Sequence, residues 1–191
     1  MRSGYHSEWS HQFGPSAGQL SLPGGSVTNP VWKIVWKLKI PSKVKIFIWR
    51  SLHGIIPLKS ILVNRHIGTS GQCPICDQSA EDIRHLLFQC TTAQEMWMSL
   101  GLSNIIRVAM MGDPSGSAVL EVLLRRSDNA MPGLNIVGLK ETISITCWYL
   151  WWICRRRTHN EDVPPLYKCK LSILGITANA AKATSHARSS D

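Results

Sequence analysis

The sequence predicts a mainly α-helical fold, and three observations lead to that prediction. Apolar residues recur with helical spacing in several segments from residue 31 onward, and Pro or Gly separates most of these segments. Hydrophobic residues make up 44% of the 191-residue chain, which supports a real core. Three cysteines and a histidine lie within residues 73–90, close enough to share a metal ion. We therefore expect a small metal-stabilised helical module with a helical C-terminal extension.

The potential ligands of this metal are Cys73, Cys76, His85 and Cys90. Thiolate sulfur and imidazole nitrogen bind Zn²⁺ at about 2.3 and 2.0 Å, and a set of four completes a tetrahedral site. Four protein ligands leave no position for water or substrate. We expect one structural zinc ion per chain, which makes the predicted fold a zinc-stabilised helical module.

The local sequence fits two halves of such a site. Pro74 restricts the turn between Cys73 and Cys76, and Asp77 tolerates the positive φ that such turns often need. A helix should then begin with Ser79 as its cap and Asp82 completing a capping box, and it should carry His85.

Cys90 lies five residues after His85, which is about 140° round a continuous α-helix. The two side chains cannot face one ion unless the helix ends first. We expect it to end near Gln89, with Cys90 in the following turn. The next helix should begin with a second capping box, from Thr92 to Glu95, and end at Gly101.

Other interpretations of the cysteines are less consistent with the sequence. Disulfides need an oxidising compartment, but no apolar signal segment opens the chain, and we expect an intracellular protein with reduced thiols. A redox Cys-x-x-Cys motif usually follows a strand within a βαβ unit, and no such unit is evident. A retroviral zinc knuckle has a shorter spacing between its second cysteine and its histidine. Unliganded thiols remain an alternative.

The chain divides into five predicted parts. Residues 1–30 are a loose leader, and residues 31–101 form the zinc module, with helices around Val35, Phe47 and Ile61 before the metal site. Residues 102–135 are a linker with one helix at 118–126. Residues 136–181 form a helical extension with helices at 139–157 and 168–181, and residues 182–191 are a disordered tail.

The helix at 139–157 combines aromatic residues with a basic end. Ile145, Trp148, Tyr149 and Trp152 share one face, and three arginines follow at 155–157. Such residues can stack bases and clamp phosphates. The favoured alternative is that the aromatic rings pack on the zinc module while the arginines interact with the helix dipole. Cys147 and Cys154 should be free thiols.

Charge points to a polyanionic partner. The net charge is +9, and no Asp or Glu occurs between Trp9 and Cys76. We expect RNA or DNA to contact this basic segment, through Lys33, Lys37, Lys39, Lys43, Lys45 and Arg50. The alternative is a solvated face that offsets the negative charge of a three-thiolate zinc site.

Enzymatic and membrane functions are not expected. The chain has twelve acidic residues, and its two adjacent Glu-Asp pairs, at 81–82 and 161–162, do not form the carboxylate cluster of a polymerase or ribonuclease H. No small-molecule substrate is implied. The longest uncharged apolar run covers the thirteen residues 142–154, too few for the roughly 20 of a membrane-spanning helix.

The order and spacing of several motifs resemble a known family. They are Val-Trp-Lys-Ile-Val-Trp-Lys-Leu-Lys-Ile-Pro at 31–41, Cys-Pro-Ile-Cys at 73–76, Ile-Arg-His-Leu-Leu-Phe-Gln-Cys at 83–90 and Met-Trp at 96–97. Together they resemble the zinc-binding domain at the C-terminal end of plant LINE-type reverse transcriptases. Arg-Ser-Gly-Tyr at 2–5 resembles the end of that family's leader motif.

The resemblance implies the same four zinc ligands, and it implies nucleic acid, a polymerase or another retroelement protein as partner. The sequence departs from the family at Asp77, where many members have Gly, and it lacks the polymerase. Three hypotheses follow. They are a non-enzymatic nucleic-acid-binding zinc module, a structural or protein-docking domain, and a degenerate fragment without activity.

Overall fold

The computed structural model describes residues 31–112, 114–126 and 138–188, with side chains described to residue 180. The described residues form helices and no strand, as predicted. A short π-helix occupies His85–Gln89. The α-helices are α1 (Val31–Lys37), α2 (Ser42–Leu52), α3 (Lys59–Asn64), α4 (Thr91–Ser99), α5 (Ser103–Ala109), α6 (Gly116–Arg125), α7 (Leu139–Thr158) and α8 (Leu166–Arg188).

The first three helices lie where the apolar periodicity predicts them. Pro41 immediately precedes α2, and its carbonyl oxygen accepts the first turn's hydrogen bonds from the backbone N–H groups of Val44 and Lys45. Gly54 follows α2 with φ +66°, a conformation that costs glycine little and other residues more. The predicted leader at 1–30 lies outside the described residues.

One apolar core joins α7 to the elements that precede the metal site. Helix α7 packs along α2, α8 and the π-helix. Its buried side chains include Ile143 and Ile145, and Ile48 of α2 is fully buried as well. Burying a residue of this type stabilises the fold by about 1.5–3 kcal/mol. The zinc module therefore shares its core with part of the predicted C-terminal extension.

Residues 102–126 differ from the prediction of a linker with a single helix, because they form both α5 and α6. Helix α5 is short and lies between Gly101 and Gly112, and this hides its periodicity in the sequence. Helix α6 is a core helix that packs against α1, α2 and α5. Four of its side chains are fully buried, namely Val119, Leu120, Leu123 and Leu124. The rest of the predicted linker, 127–135, lies outside the described residues.

The beginning of α4 also differs from the prediction. Helix α4 starts at Thr91, with Cys90 at the N-cap position and no side-chain cap, so the predicted Thr92–Glu95 capping box is wrong. Its end agrees with the prediction. Gly101 has φ +72°, and the backbone N–H of Leu102 donates to the carbonyl oxygen of Trp97 at 2.9 Å, as in a glycine-terminated helix.

The aromatic residues of α7 pack against the module. The ring centroids of Phe47 in α2 and Trp151 in α7 lie 5.3 Å apart. The guanidinium of Arg156 lies 5.0 Å from the Trp152 ring centroid and 3.1 Å from a Glu161 carboxylate oxygen. The predicted face residues Trp148, Tyr149 and Trp152 are partly buried against the core, which supports the packing interpretation of α7 over a base-stacking one. Cys147 and Cys154 are buried free thiols, as predicted.

Helix α8 runs to Arg188, beyond its predicted end at residue 181 and into the predicted disordered tail at 182–191, so that prediction is wrong for residues 182–188. Residues 189–191 lie outside the described part. None of the helices in the described ranges is both long and apolar enough to cross a membrane.

Candidate metal centre

Cys73 and Cys76 lie in a tight loop closed by backbone hydrogen bonds. The N–H of Cys73 donates to the carbonyl oxygen of Ser79 at 2.9 Å, and the N–H of Asp77 donates to that of Cys73 at 3.0 Å. Asp77 has φ +54°, as expected of an Asp residue in a cysteine turn. A β-bridge between Gln72 and Ala80 closes the base of the loop. These contacts hold both sulfur atoms on one side of the loop.

Asp82 caps the helical segment that carries His85. Its carboxylate accepts a 2.6 Å hydrogen bond from the backbone N–H of His85. The predicted Ser79 cap is therefore wrong. The carbonyl oxygen of Ser79 is engaged by Cys73, which fixes Ser79 in the loop before the helix begins.

The π-helix explains how His85 and Cys90, five residues apart, can face the same ion. The backbone N–H of Cys90 donates to the carbonyl oxygen of His85 at 2.7 Å, an i→i+5 bond that brings Cys90 close to the line above His85. The helical segment then ends at Gln89, as predicted, and Cys90 turns out with ψ 143°. The wider turn brings the side chains of His85 and Cys90 to the same side of the helical segment.

The four side chains converge. The ligand atoms of Cys73, Cys76, His85 and Cys90 all lie within 4.8 Å of one another. The sulfur atoms of Cys73 and Cys90 are 3.9 Å apart, and the Cys76 sulfur is 3.2 Å from Nε2 of His85. Cys73 and Cys90 are almost fully buried, His85 is 6% exposed, and Cys76 is half-buried.

This donor set fits zinc by its geometry and by its chemistry. Two thiolates bound at about 2.3 Å to one tetrahedral ion lie about 3.8 Å apart, close to the Cys73–Cys90 separation of 3.9 Å. Three sulfur atoms and one imidazole nitrogen are typical ligands of structural zinc and disfavour Mg²⁺ and Ca²⁺, which prefer oxygen.

The electrostatics of the site also favour a cation. The contact with the Cys90 sulfur and burial raise the pKa of Cys73 to about 12, while the same contact lowers the pKa of Cys90. Thiols crowded into a buried site resist ionising together. A bound divalent cation would offset the repulsion between the thiolates and displace the thiol protons.

Two residues that support the site were not recognised from the sequence. Trp97 of α4 donates its indole N–H to the carbonyl oxygen of Leu87 in the π-helix at 2.7 Å. Gly116 lies so close to the chain at Ile83 and Arg84 that a Cβ atom there would be 2.3 Å from the Arg84 nitrogen. Neither the Met-Trp pair at 96–97 nor the Gly-Ser pair at 116–117 indicates such a contact from the sequence alone.

The predicted nucleic-acid-binding residues do not lie on one face. Lys33 and Lys37 are exposed on α1, and Lys39 and Arg50 are exposed as well. Lys43 and Lys45 lie about 200° apart around α2. The ammonium of Lys43 is 4.4 Å from the Trp148 ring centroid, toward α7, whereas that of Lys45 donates to the carbonyl oxygen of Trp36 on α1 at 2.9 Å. The structure thus groups Lys33, Lys37 and Lys45 around α1.

Comparison with known proteins agrees with this site. Residues 17–97 match the family described as "zinc-binding in reverse transcriptase". Sixty-four residues, or 34% of this chain, are 27% identical to an Arabidopsis thaliana protein named as a candidate ribonuclease H, of which they cover 10%. The chain thus spans about a tenth of that relative's length. No solved structure matches the chain. Residues 17–97 are therefore similar to the zinc-binding domain of reverse transcriptases.

Proposed function

We propose that this protein is a non-catalytic zinc-binding module, derived from the reverse transcriptase polyprotein of a retrotransposon, that contacts RNA or DNA through its basic residues. The observation that carries the proposal is the convergence of Cys73, Cys76, His85 and Cys90 within 4.8 Å. The family match at 17–97 and the similarity to a much longer relative support a retroelement origin.

The role of the ion is structural. It joins the cysteine loop to the π-helix, and apparent zinc-binding energies in small domains are about 10–16 kcal/mol. The π-helix in turn packs against α4, α6 and α7. One ion per chain would therefore fix the orientation of the loop relative to the helical core.

Two features support a non-catalytic role. Four protein ligands fill a tetrahedral zinc ion and leave no position for a reacting water. In the described part of the chain, these four residues are also the one group of His, Cys, Asp or Glu side chains that converges on a possible ion site. Primer-extension and RNA-cleavage assays with Mg²⁺ or Mn²⁺ should therefore give no product above buffer.

The zinc proposal is tested by metal analysis of the purified protein. We expect about one zinc per chain, loss of the metal in Cys76→Ser, and unfolding of residues 65–100 by a strong chelator. Cys169→Ser is the matched control, because Cys169 is also buried but lies outside the ligand cluster. A protein that stays well folded without zinc would contradict the proposal.

Nucleic-acid contact is supported by exposed positive charge on α1 and the absence of any acidic residue between Trp9 and Cys76. Binding of a labelled single-stranded RNA, followed by fluorescence anisotropy, should weaken with salt at a log–log slope of about −0.7 per phosphate contact. The double substitution Lys33→Gln and Lys37→Gln should flatten this slope. The same change at Lys168 and Lys170 of α8 should not.

Docking to another protein segment is the second candidate function. It is favoured by an apolar groove of about 730 Å³ between α4 and α5, lined by residues such as Phe88 and Ile106. Met98 and Met111 at this groove are 68% and 73% exposed. The occupant we consider is another part of a longer polyprotein. A salt slope near zero, unchanged in the lysine variants, would favour docking over nucleic-acid binding.

A further inference from the structure

Helix α1 exposes two tryptophans beside two lysines. Its buried side holds Val31 and Val35, while Trp32 and Trp36 on the outer side are 41% and 48% exposed. Lys33 and Lys37 are exposed next to them, so one face carries a pair of indoles and an adjacent pair of positive charges, each pair one helical turn apart. Exposed tryptophans that lie next to each other on a helix indicate an interaction surface.

Contacts with α2 extend and fix this surface. The ring centroids of Trp32 and His53 lie 5.9 Å apart, and those of His53 and Trp49 lie 4.6 Å apart. The other end of α1 is tied to α2 by the bond from the Lys45 ammonium to the Trp36 carbonyl oxygen. We call the group Trp32, Trp36, Trp49 and His53 the aromatic platform. Its backbone is held by packed helices, so little ordering is needed when a ligand binds.

We propose that the aromatic platform stacks unpaired bases, so that the nucleic acid this module prefers is single-stranded. This inference rests on the proposed function of nucleic-acid contact and specifies its ligand. Bases stack on aromatic side chains while flanking cations hold the phosphates, and every base offers a flat face whatever its sequence. In a duplex these faces are covered by neighbouring base pairs.

Charge complementarity decides in favour of a nucleic acid over an apolar protein segment. Lys33 and Lys37 are exposed beside the indoles on α1, and the Lys45 ammonium reaches the Trp36 carbonyl oxygen. Residues 31–76 contain no Asp or Glu, and the acidic side chain that the structure places near the end of α1 is Glu141, whose Oε1 lies 3.5 Å from the backbone nitrogen of Lys39. A purely apolar partner would leave these charges without compensation, whereas a polynucleotide offers phosphates and flat rings together. An acidic protein partner becomes an outcome of the test below.

The test compares three labelled probes of equal length, which are a single-stranded uridine oligomer, its duplex and an abasic oligomer with the same backbone. The zinc-loaded protein should bind the single strand most tightly. The double substitution Trp32→Ala and Trp36→Ala should weaken that binding by roughly 5- to 100-fold and leave abasic binding and the salt slope unchanged. Tyr167→Ala is the matched control, because it removes an aromatic ring that is 60% exposed on α8.

A second measurement uses the unaltered protein, so that it does not depend on the variants folding. Ultraviolet crosslinking of a 5-bromouridine oligomer, mapped by mass spectrometry, should label peptides that contain Trp32, Trp36 or Trp49. Equal binding of duplex and single strand, unchanged affinity in the tryptophan variant, or crosslinks confined to other helices would overturn the stacking inference. Salt-dependent binding that persists in those cases would still support the proposed function. Absence of binding to all three probes would overturn both and point to an acidic protein partner.

Discussion

Trp97 and Leu87 are joined by a buried hydrogen bond of 2.7 Å from the indole Nε1–H to the backbone carbonyl oxygen. Leu87 lies in the π-helix between the two potential ligands His85 and Cys90, and both Trp97 and Leu87 are almost fully buried. The carbonyl oxygen therefore depends on the indole for a partner. This bond anchors α4 to the segment that presents half of the metal site.

Replacing Trp97 by Phe should destabilise the protein by about 1–3 kcal/mol, because the ring stays buried while the Leu87 carbonyl loses its donor. The free energy of unfolding of the zinc-loaded protein, from denaturant titration, gives the measurement. Zinc affinity should fall as well, since the π-helix is less well held.

Trp151→Phe is the matched control for this prediction. Among the described residues, Nε1 of Trp151 is buried and has no hydrogen-bond partner. Replacement by Phe removes an unsatisfied donor and keeps the ring contact with Phe47, so stability should change little or rise. Equal losses in the two variants would show that ring volume, and not the hydrogen bond, accounts for the effect at position 97.

Gly116 is the second position where the structure makes a sharp prediction. Helix α6 begins here, wedged between two segments, and Ser117 donates to the carbonyl oxygen of Ser51 at 2.7 Å. A Cβ atom at position 116 would lie 2.3 to 2.7 Å from the backbone at Ile83 and Arg84, and backbone atoms cannot give way as a flexible side chain can. Gly116→Ala should therefore displace α6 from the helical segment that carries His85.

We expect Gly116→Ala to cost about 1–3 kcal/mol of unfolding free energy, as overpacking of a well-packed site does. Gly175→Ala in α8 is the matched control, because a Cβ atom there meets nothing within 4 Å. That substitution should stabilise the helix by roughly 0.5–1 kcal/mol. If Gly116→Ala is as well tolerated in thermal unfolding, α6 does not pack on the His85 segment as described.

The sequence predicted much of the metal centre because ligand spacing is a local property. The angle between His85 and Cys90 on an α-helix required that the helix end near Gln89, and it does end there. The π-helix itself was not predictable. Its i→i+5 bond is one of several ways to leave a helix, and packing against α4, α6 and α7 selects among them.

The prediction that Ser79 caps the helix failed for a related reason. Ser79 and Asp82 are both suitable caps by residue type, and their spacing also suits a capping box. The choice between them depends on whether the carbonyl oxygen of Ser79 is already used, and the hydrogen bond from Cys73 that uses it exists only in the folded loop. In the same way, a glycine at 116 suggests a flexible linker until its neighbours at 83 and 84 are known.

Periodicity located α1 and α2 but did not separate buried from exposed tryptophans. Trp97 is 1% exposed and Trp36 is 48% exposed, although both follow an apolar residue in an amphipathic helix. The difference arises from which helices cover each face. In the described part of the chain, α1 packs against α2 and against α6 of the predicted linker, and its side with Trp32 and Trp36 stays exposed.

The cysteines outside the metal centre give the last prediction. Cys147 and Cys154 are buried in α7, and burial raises the pKa of both thiols, with the Glu81 carboxylate adding to the effect at Cys154. Since the thiolate is the reactive form, both should alkylate very slowly with iodoacetamide in the zinc-loaded protein. Raising the pH from 7 to 8 should leave them slow, whereas an ordinary thiol with a pKa of about 8.5 would react several-fold faster.

Adding a chelator should expose the cysteines in a set order. Cys73, Cys76 and Cys90 lose the metal that protects them and should react first, while Cys147 stays covered by the core between α2 and α8 and should react last. Pulsed alkylation with site-by-site mass spectrometry measures each rate, and urea-unfolded protein, in which all six cysteines are accessible, provides the reference. If Cys147 reacts as fast as Cys73 once zinc is removed, the metal supports the whole helical core and not residues 65–100 alone.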